Sequence, residues 1–474
     1  MSFHAVNFPD LARRASARWN MPFGYKHVLG VALPLVASMA SETLMLFVDR
    51  LFLSHYSVSS IAASLPAGSL AFAMQTAFIG ICGYSSVFIA QHIGAHQPQH
   101  IGAILWQSLW ISLIAGVFLA IAGICLADPV FALIGHAGNI AELESSYFRI
   151  LLLGSFPVLL GSSFSAFFVG IGRTKPVLVA NLAGVALNIP LDWILIFGRF
   201  GLPEAGISGA AIATLAGQIF SAILLGCLVF REGGGTSLLA SWRPEIRLVL
   251  RLLRYGGPSG FNMLIDVAGF SWFILRLGRL GETALAASNI VLSINTLVFL
   301  PMMGLNSAVA SLVGNAMGGR SPARAKTATA SALHISLAYM TPLALSLVLG
   351  GEWYMDMFQP EGSAASSPEV RAAGVTLLWY VAAYSLVDSC NIIYFGALKG
   401  AGDTFFVMLS LTAFAVFLLG LPVFALEQLG LASLHSLWTT LSIYVVSLAL
   451  LAWRRFAGGR WQEIRLVECE ARSR

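Results

Sequence analysis

Charge is scarce in this chain. Only 10% of its 474 residues are Asp, Glu, Lys or Arg, where an ordinary globular domain has about a quarter. A water-facing surface cannot be built from so little, and a 57% hydrophobic composition with a mean hydropathy of +0.81 excludes a soluble enzyme or binding module. Cysteine is sparse as well: Cys82, Cys125, Cys227, Cys390 and Cys469 are scattered and form no CxxC or other metal-ligand spacing, so they read as unreactive thiols. The first apolar stretch, from about Lys26 to Tyr56, has no small-residue cleavage site and is too long for a secretory signal, so no segment is expected to be removed.

What the chain does have is long apolar runs. Twelve stretches suit a membrane-spanning helix, near 26–55, 58–92, 101–127, 142–170, 175–198, 206–231, 248–278, 283–316, 325–350, 368–398, 404–427 and 431–456. The expected fold is therefore all-α and integral to a membrane. Basic residues gather at one set of ends: Arg13, Arg14, Arg18 and Lys26 before the first span, then Arg173 and Lys175, Arg231 to Arg254, Arg320 to Lys326, Lys399, and Arg454 to Arg460. The positive-inside rule places these ends and both termini in the cytoplasm and puts Glu352, Asp356 and Glu361 outside, and the membrane expected is the cell inner membrane. The net charge of +5 then needs no nucleic acid as partner. The expected partner is bilayer lipid, with the chain acting as a monomer.

The chain also repeats. Shifted by 224 positions, Pro34 falls on Pro258, Glu42 on Asp266, Ala62-Ala63-Ser64 on Ala286-Ala287-Ser288, Gly94 on Gly318 and Pro98 on Pro322. Two lobes of six spans follow: a leader at 1–25, an N-lobe at 26–231, a linker at 232–247 marked by glycines 233–235 and Pro244, a C-lobe at 248–458 and a tail at 459–474. With six spans each, both lobes enter the membrane from one side, so the pseudo-two-fold axis runs along the membrane normal, the arrangement of many secondary transporters.

Five carboxylates lie inside apolar spans: Glu42, Asp49, Asp192, Asp266 and Asp388. A charge at membrane depth is costly, so these acids are candidates for ion or substrate work, set against helix-end placement or pairing with Arg50 or Arg276. Glu42 and Asp49 are seven residues apart and share a helix face about 10 Å apart, and Asn188 and Asp192 share one a single turn apart. A buried carboxyl can hold a proton, while two acids with amide, hydroxyl and Pro190-freed carbonyl oxygens can hold a small hard cation. The sequence leaves Na⁺ and H⁺ both open as coupling ion and calls for no cofactor. Aromatic and thioether side chains that share spans with the acids, Met45, Phe270, Phe273, Met302 and Tyr384 among them, are candidate walls of a cavity for flat cations, against a reading as packing or lipid contacts.

Two other patterns carry less. His92, His96 and His100 recur every four residues, but Gly94 and Pro98 break the helix a metal face would need, so a connecting loop is expected. The glycine-rich Gly170–Thr174 and Gly400–Thr404 segments lack the P-loop lysine and read as tight turns. A polytopic membrane enzyme would need acids beside those histidines, and none is there.

The runs FVDRLFLS at 47–54, VGIGRTKPVLVANLAGVALNIPLDW at 169–193, GISGAAIAT at 206–214 and GALKGAGDT at 396–404 resemble the multidrug and toxic compound extrusion (MATE) transporters, in particular their bacterial NorM-type branch. The resemblance spans nearly the whole chain. It implies an antiporter, not an enzyme, that exports organic cations or other xenobiotics against Na⁺ or H⁺. It also implies an N-lobe ion cluster of Asp49, Asn188 and Asp192 and a C-lobe pair of Asp266 and Asp388. NorM-type members carry glutamate where this chain has Asp266; Glu42 and Arg50 are further departures. A lipid-linked precursor flippase of the same superfamily is the alternative, and five internal acids with few internal bases favour a cationic substrate over it.

Overall fold

The computed structural model describes residues 16–136, 138–232, 241–358 and 367–467. Arg13, Arg14, the glycines at 233–235, Glu361 and Cys469 lie outside the described residues. Helices account for the rest of the architecture: α1 (Tyr25–Tyr56), α2 (Val58–Gly94), α3 (Ile101–Ile134), α4 (Gly138–Leu153), α5 (Ser155–Gly170), α6 (Lys175–Phe197), α7 (Gly206–Glu232), α8 (Ile246–Gly278), α9 (Glu282–Gly318), α10 (Pro322–Leu349), α11 (Gly351–Phe358), α12 (Pro368–Ala401), α13 (Thr404–Phe414), α14 (Leu421–Gln428) and α15 (Leu434–Ala457). Among the described residues, eleven helices are long and apolar enough to cross a membrane, and the pair α4 and α5, bent by 43° at Gly154, makes a twelfth when read as one span. A π-turn at Ala415–Gly420 joins α13 to α14 within one span. The protein is a multi-pass membrane protein.

By packing, the chain divides into two units, and neither division falls in the linker. One unit is Ala37–Ala268; the other takes in the chain up to Val36 and from Gly269 onward. Both divisions cut a long helix, α1 and α8, and the close contacts on either side obey the repeat. Within the first unit, a Cβ on Gly80 of α2 would lie 2.6 Å from the Gly260 Cα of α8; within the second, Gly304 of α9 meets Val36 of α1. Gly304 and Gly260 stand 224 positions after Gly80 and Val36. Small residues at such crossings let apolar helices approach where lipid supplies no hydrophobic drive.

The turns repeat too. His96 and Arg320, again 224 positions apart, both hold left-handed backbone, at φ 56° and 51°. Gly172 and Gly402, the centres of the two glycine-rich segments, do so at φ 74° and 101°. A 3₁₀ turn at Pro98–His100 follows the end of α2, so His92, His96 and His100 do not share one helix. The His92 and His100 rings lie 5.6 Å apart, and no group of three metal-ligating side chains occurs among the described residues.

Each unit has its own fastenings. In the first, Ser108, Ser112 and Ser163 bond one another across α3 and α5 at 2.6 and 2.9 Å, and Cys82 of α2 joins them at 3.3 Å from Ser112. The end of the linker is pinned to α3, where Gln107 bonds both the Arg243 carbonyl and the Glu245 amide. In the second, Trp461 of the tail is buried, stacked on Phe456 at 4.8 Å, and Arg455 pairs with Asp403 at 2.7 Å.

Candidate functional site

The site begins where α6 and α7 touch. Gly184 and Gly217 face each other so closely that a Cβ on either would lie 2.8 Å from the other's carbonyl oxygen. This contact draws Asn188 and Asp192 of α6 toward Thr214 of α7. Asp49 of α1 completes the group: its Oδ2 accepts a 2.9 Å hydrogen bond from Thr214 Oγ1, and its carboxyl faces those of Asp192 and the Asn188 amide. Pro190, between Asn188 and Asp192, has no N–H to give the Ala186 carbonyl.

Asp49, Asn188 and Asp192 are all buried. Asp49 Oδ1, both Asp192 oxygens and both polar atoms of the Asn188 side chain find no hydrogen-bond partner among the described residues. Burial of an unpaired polar group costs several kcal/mol, and two like-charged carboxylates facing each other cost more. The arrangement suits a proton or a small hard cation held by carboxylate and amide oxygens. Arg50, next in sequence to Asp49, is exposed and forms no ion pair with it among the described residues. Arg276 is committed elsewhere, to Glu427 at 2.9 Å.

The structure therefore brings together the three residues expected as a first cluster. Of the expected second pair, Asp266 is exposed on α8 in the unit Ala37–Ala268, and Asp388, on α12 in the other unit, is half-buried and accepts a 3.2 Å bond from Asn391. Tyr384, one turn before Asp388, is buried and donates to Asn295 at 3.3 Å.

The expected cavity walls differ in exposure. Phe270 is exposed and Met45 is buried between Glu42 and Asp49 on α1. Phe273 and Met302 are buried in the second unit, at 1% and 0% exposed, and Phe273 packs edge-on against Trp438. Their apolar bulk fills the interior of the unit because their helix faces point inward. Glu42, also exposed, accepts a 2.6 Å hydrogen bond from Asn181.

Three site residues had not been singled out. Thr214 lay unmarked inside the GISGAAIAT run, and Tyr147 of α4 is buried within electrostatic reach of Asp49 and Asp192. Asn181 had a signal, since it precedes Asn188 by the same seven residues that separate Glu42 from Asp49.

A family model described as MatE matches residues 34–194 and 258–426, two segments whose starts keep the register of the internal repeat. Among curated proteins, the chain is 29% identical to a probable multidrug resistance protein NorM of Aromatoleum aromaticum, over 79% of this chain and 80% of that one. It is 28% identical to the multidrug resistance protein PmpM of Pseudomonas aeruginosa, over 84% and 83%. Among solved structures, an outward-facing multidrug resistance MATE family transporter of the MOP superfamily superposes with a TM-score of 0.84 at 21% identity, covering 94% of this chain and 98% of that one. A MOP superfamily transporter from Pyrococcus furiosus, described as having a binding pocket of reverse polarity, gives 0.83 at 21% identity, with coverage of 95% and 98%.

Proposed function

Because the chain belongs to the MatE family, a family of transporters and not of enzymes, we propose that it is a secondary antiporter. In this reading it exports organic cations or other xenobiotics from the cell in exchange for inflowing Na⁺ or H⁺. The observation that carries the proposal is the meeting of Asp49, Asp192 and Asn188, buried with five polar atoms unpartnered. Such a group is stable only with a cation or proton in it, so filling and emptying it changes the free energy of the protein. A conformational equilibrium can be driven by that difference. Glu42, Asp266 and Asp388 add negative charge that favours cationic cargo. The repeat supports alternating access between two lobes, and the basic ends of the spans support a cytoplasmic location for both termini in the cell inner membrane.

The test is ethidium efflux from proteoliposomes carrying the purified protein. An inward gradient of Na⁺ or of protons should accelerate efflux, and Asp49→Asn should abolish the acceleration. Efflux indifferent to both gradients, together with flipping of a lipid-linked sugar, would show the flippase alternative to be correct.

A further inference from the structure

The ion cluster has a second copy on the same three helices. Glu42 precedes Asp49 by seven residues on α1, Asn181 precedes Asn188 by seven on α6, and Ser221 follows Thr214 by seven on α7, which runs the other way. Each helix thus contributes the same chemistry twice, about 10 Å apart along its axis: a carboxyl, an amide and a hydroxyl. The second copy is fully wired. Asn181 Nδ2 donates to Glu42 Oε1 at 2.6 Å and to Ser38 Oγ at 2.7 Å, and Ser221 Oγ donates to Asn181 Oδ1 at 2.8 Å. The Gly184–Gly217 contact lies midway between the copies and sets the helix spacing for both.

The copies differ in one respect that decides what they hold. The Asp49 layer has a second acid, Asp192, and the position seven residues before it is Val185. The Glu42 layer therefore has one carboxyl. In the arrangement seen, its amide points nitrogen toward Glu42 and oxygen toward Ser221, and with a single carboxyl the layer suits a proton better than a metal cation. Glu42 is exposed, and its second oxygen receives no donor among the described residues.

We propose that Glu42, Asn181, Ser221 and Ser38 form a second station for the coupling ion, two helical turns from the Asp49 layer toward the start of α1, and that this station takes a proton. The carboxylate becomes a carboxylic acid on one oxygen, with the proton delivered by water because Met45 separates the layers on α1. The oxygen without a donor takes the proton, and rotation of the carboxyl can then turn that O–H to Asn181, whose amide turns over and exchanges its bonds to Ser38 and Ser221. The station rests on the antiport reading for its purpose but not for its existence.

Infrared difference spectra of the purified protein between acidic and alkaline buffer test the site directly. Wild type should show a carboxyl signal that disappears in Glu42→Gln and shifts in Asn181→Leu, with the Asp49→Asn protein retaining it. In proteoliposomes, Glu42→Gln should slow proton-driven exchange about tenfold, and Glu42→Asp should restore part of the rate. A Glu42→Gln spectrum identical to wild type overturns the station, as does unaltered exchange at every pH. If Glu42→Gln does not fold, the Asn181→Leu spectrum decides: an unshifted carboxyl signal refutes the proposal. A wild type without cation-driven efflux would refute the antiport reading and leave the infrared result to stand on its own.

Discussion

Asp49 has one hydrogen-bond donor, Thr214, and Asp192 has none among the described residues, so without a proton or cation between them the two acids repel. An amide in place of one acid supplies N–H donors to the other and removes a like charge. Asp192→Asn should therefore stabilise the protein by about 1–3 kcal/mol, the usual cost of an unsatisfied buried group, while abolishing gradient-driven efflux. Thermal unfolding in detergent and dye efflux, measured on one preparation, check both halves; a lowered melting temperature would show that the two acids are already compensated. Thr214→Val removes a hydrogen bond to a charged group, and a loss of about 1.5–3 kcal/mol should appear as weaker cation dependence with the fold intact. At this scale the sequence revealed the acids and Asn188 but not their other companions. A carboxyl inside an apolar run is conspicuous because it is costly there, whereas the Thr214 hydroxyl and the Tyr147 phenol are common in spans. For Phe273 and Met302 the sequence cannot choose a role, since a bulky apolar side chain looks the same in a core as in a cavity wall.

Helix limits were the most legible elements, because the length of an apolar run is fixed by membrane thickness and every expected span has its helix within several residues. Irregularities within spans were not legible. The 43° bend at Gly154 and the π-turn at Ala415–Gly420 leave hydropathy unchanged. The close approach of α6 and α7 was equally hidden, as glycines are frequent throughout the chain, yet it sets both polar layers. Gly217→Ala places a methyl 2.8 Å from the Gly184 carbonyl and 3.1 Å from Asn188 Cβ, so the helices must separate. The expected destabilisation is about 1–3 kcal/mol, accompanied by loss of transport, whereas Gly30→Ala, which meets nothing within 4 Å, should be silent on both counts. Equal melting temperatures for the two variants would show that the α6–α7 contact relaxes freely.

At the scale of the molecule, the repeat seen by a shift of 224 positions is also the packing rule, since Gly80 with Gly260 and Val36 with Gly304 make corresponding contacts. The assignment of the first part of α1 and of α8 to units away from the rest of their own halves has no trace in composition: linear order says which helices are homologous, not which they pack against. Orientation in the membrane is a separate matter, decided by charge at the span ends. The turn after α2 lies among ends rich in Arg and Lys, and the loop between α6 and α7 lies at the opposite ends of the spans. In a background freed of its five cysteines, Phe200→Cys, at a position 83% exposed in that loop, should react with an impermeant thiol reagent in intact cells. Gln99→Cys, exposed in the turn after α2, should react only after lysis. The reverse pattern would invert the chain in the membrane. The Glu42 layer, nearer the start of α1 than the Asp49 layer, would then be the first station an inflowing cation meets and not the last.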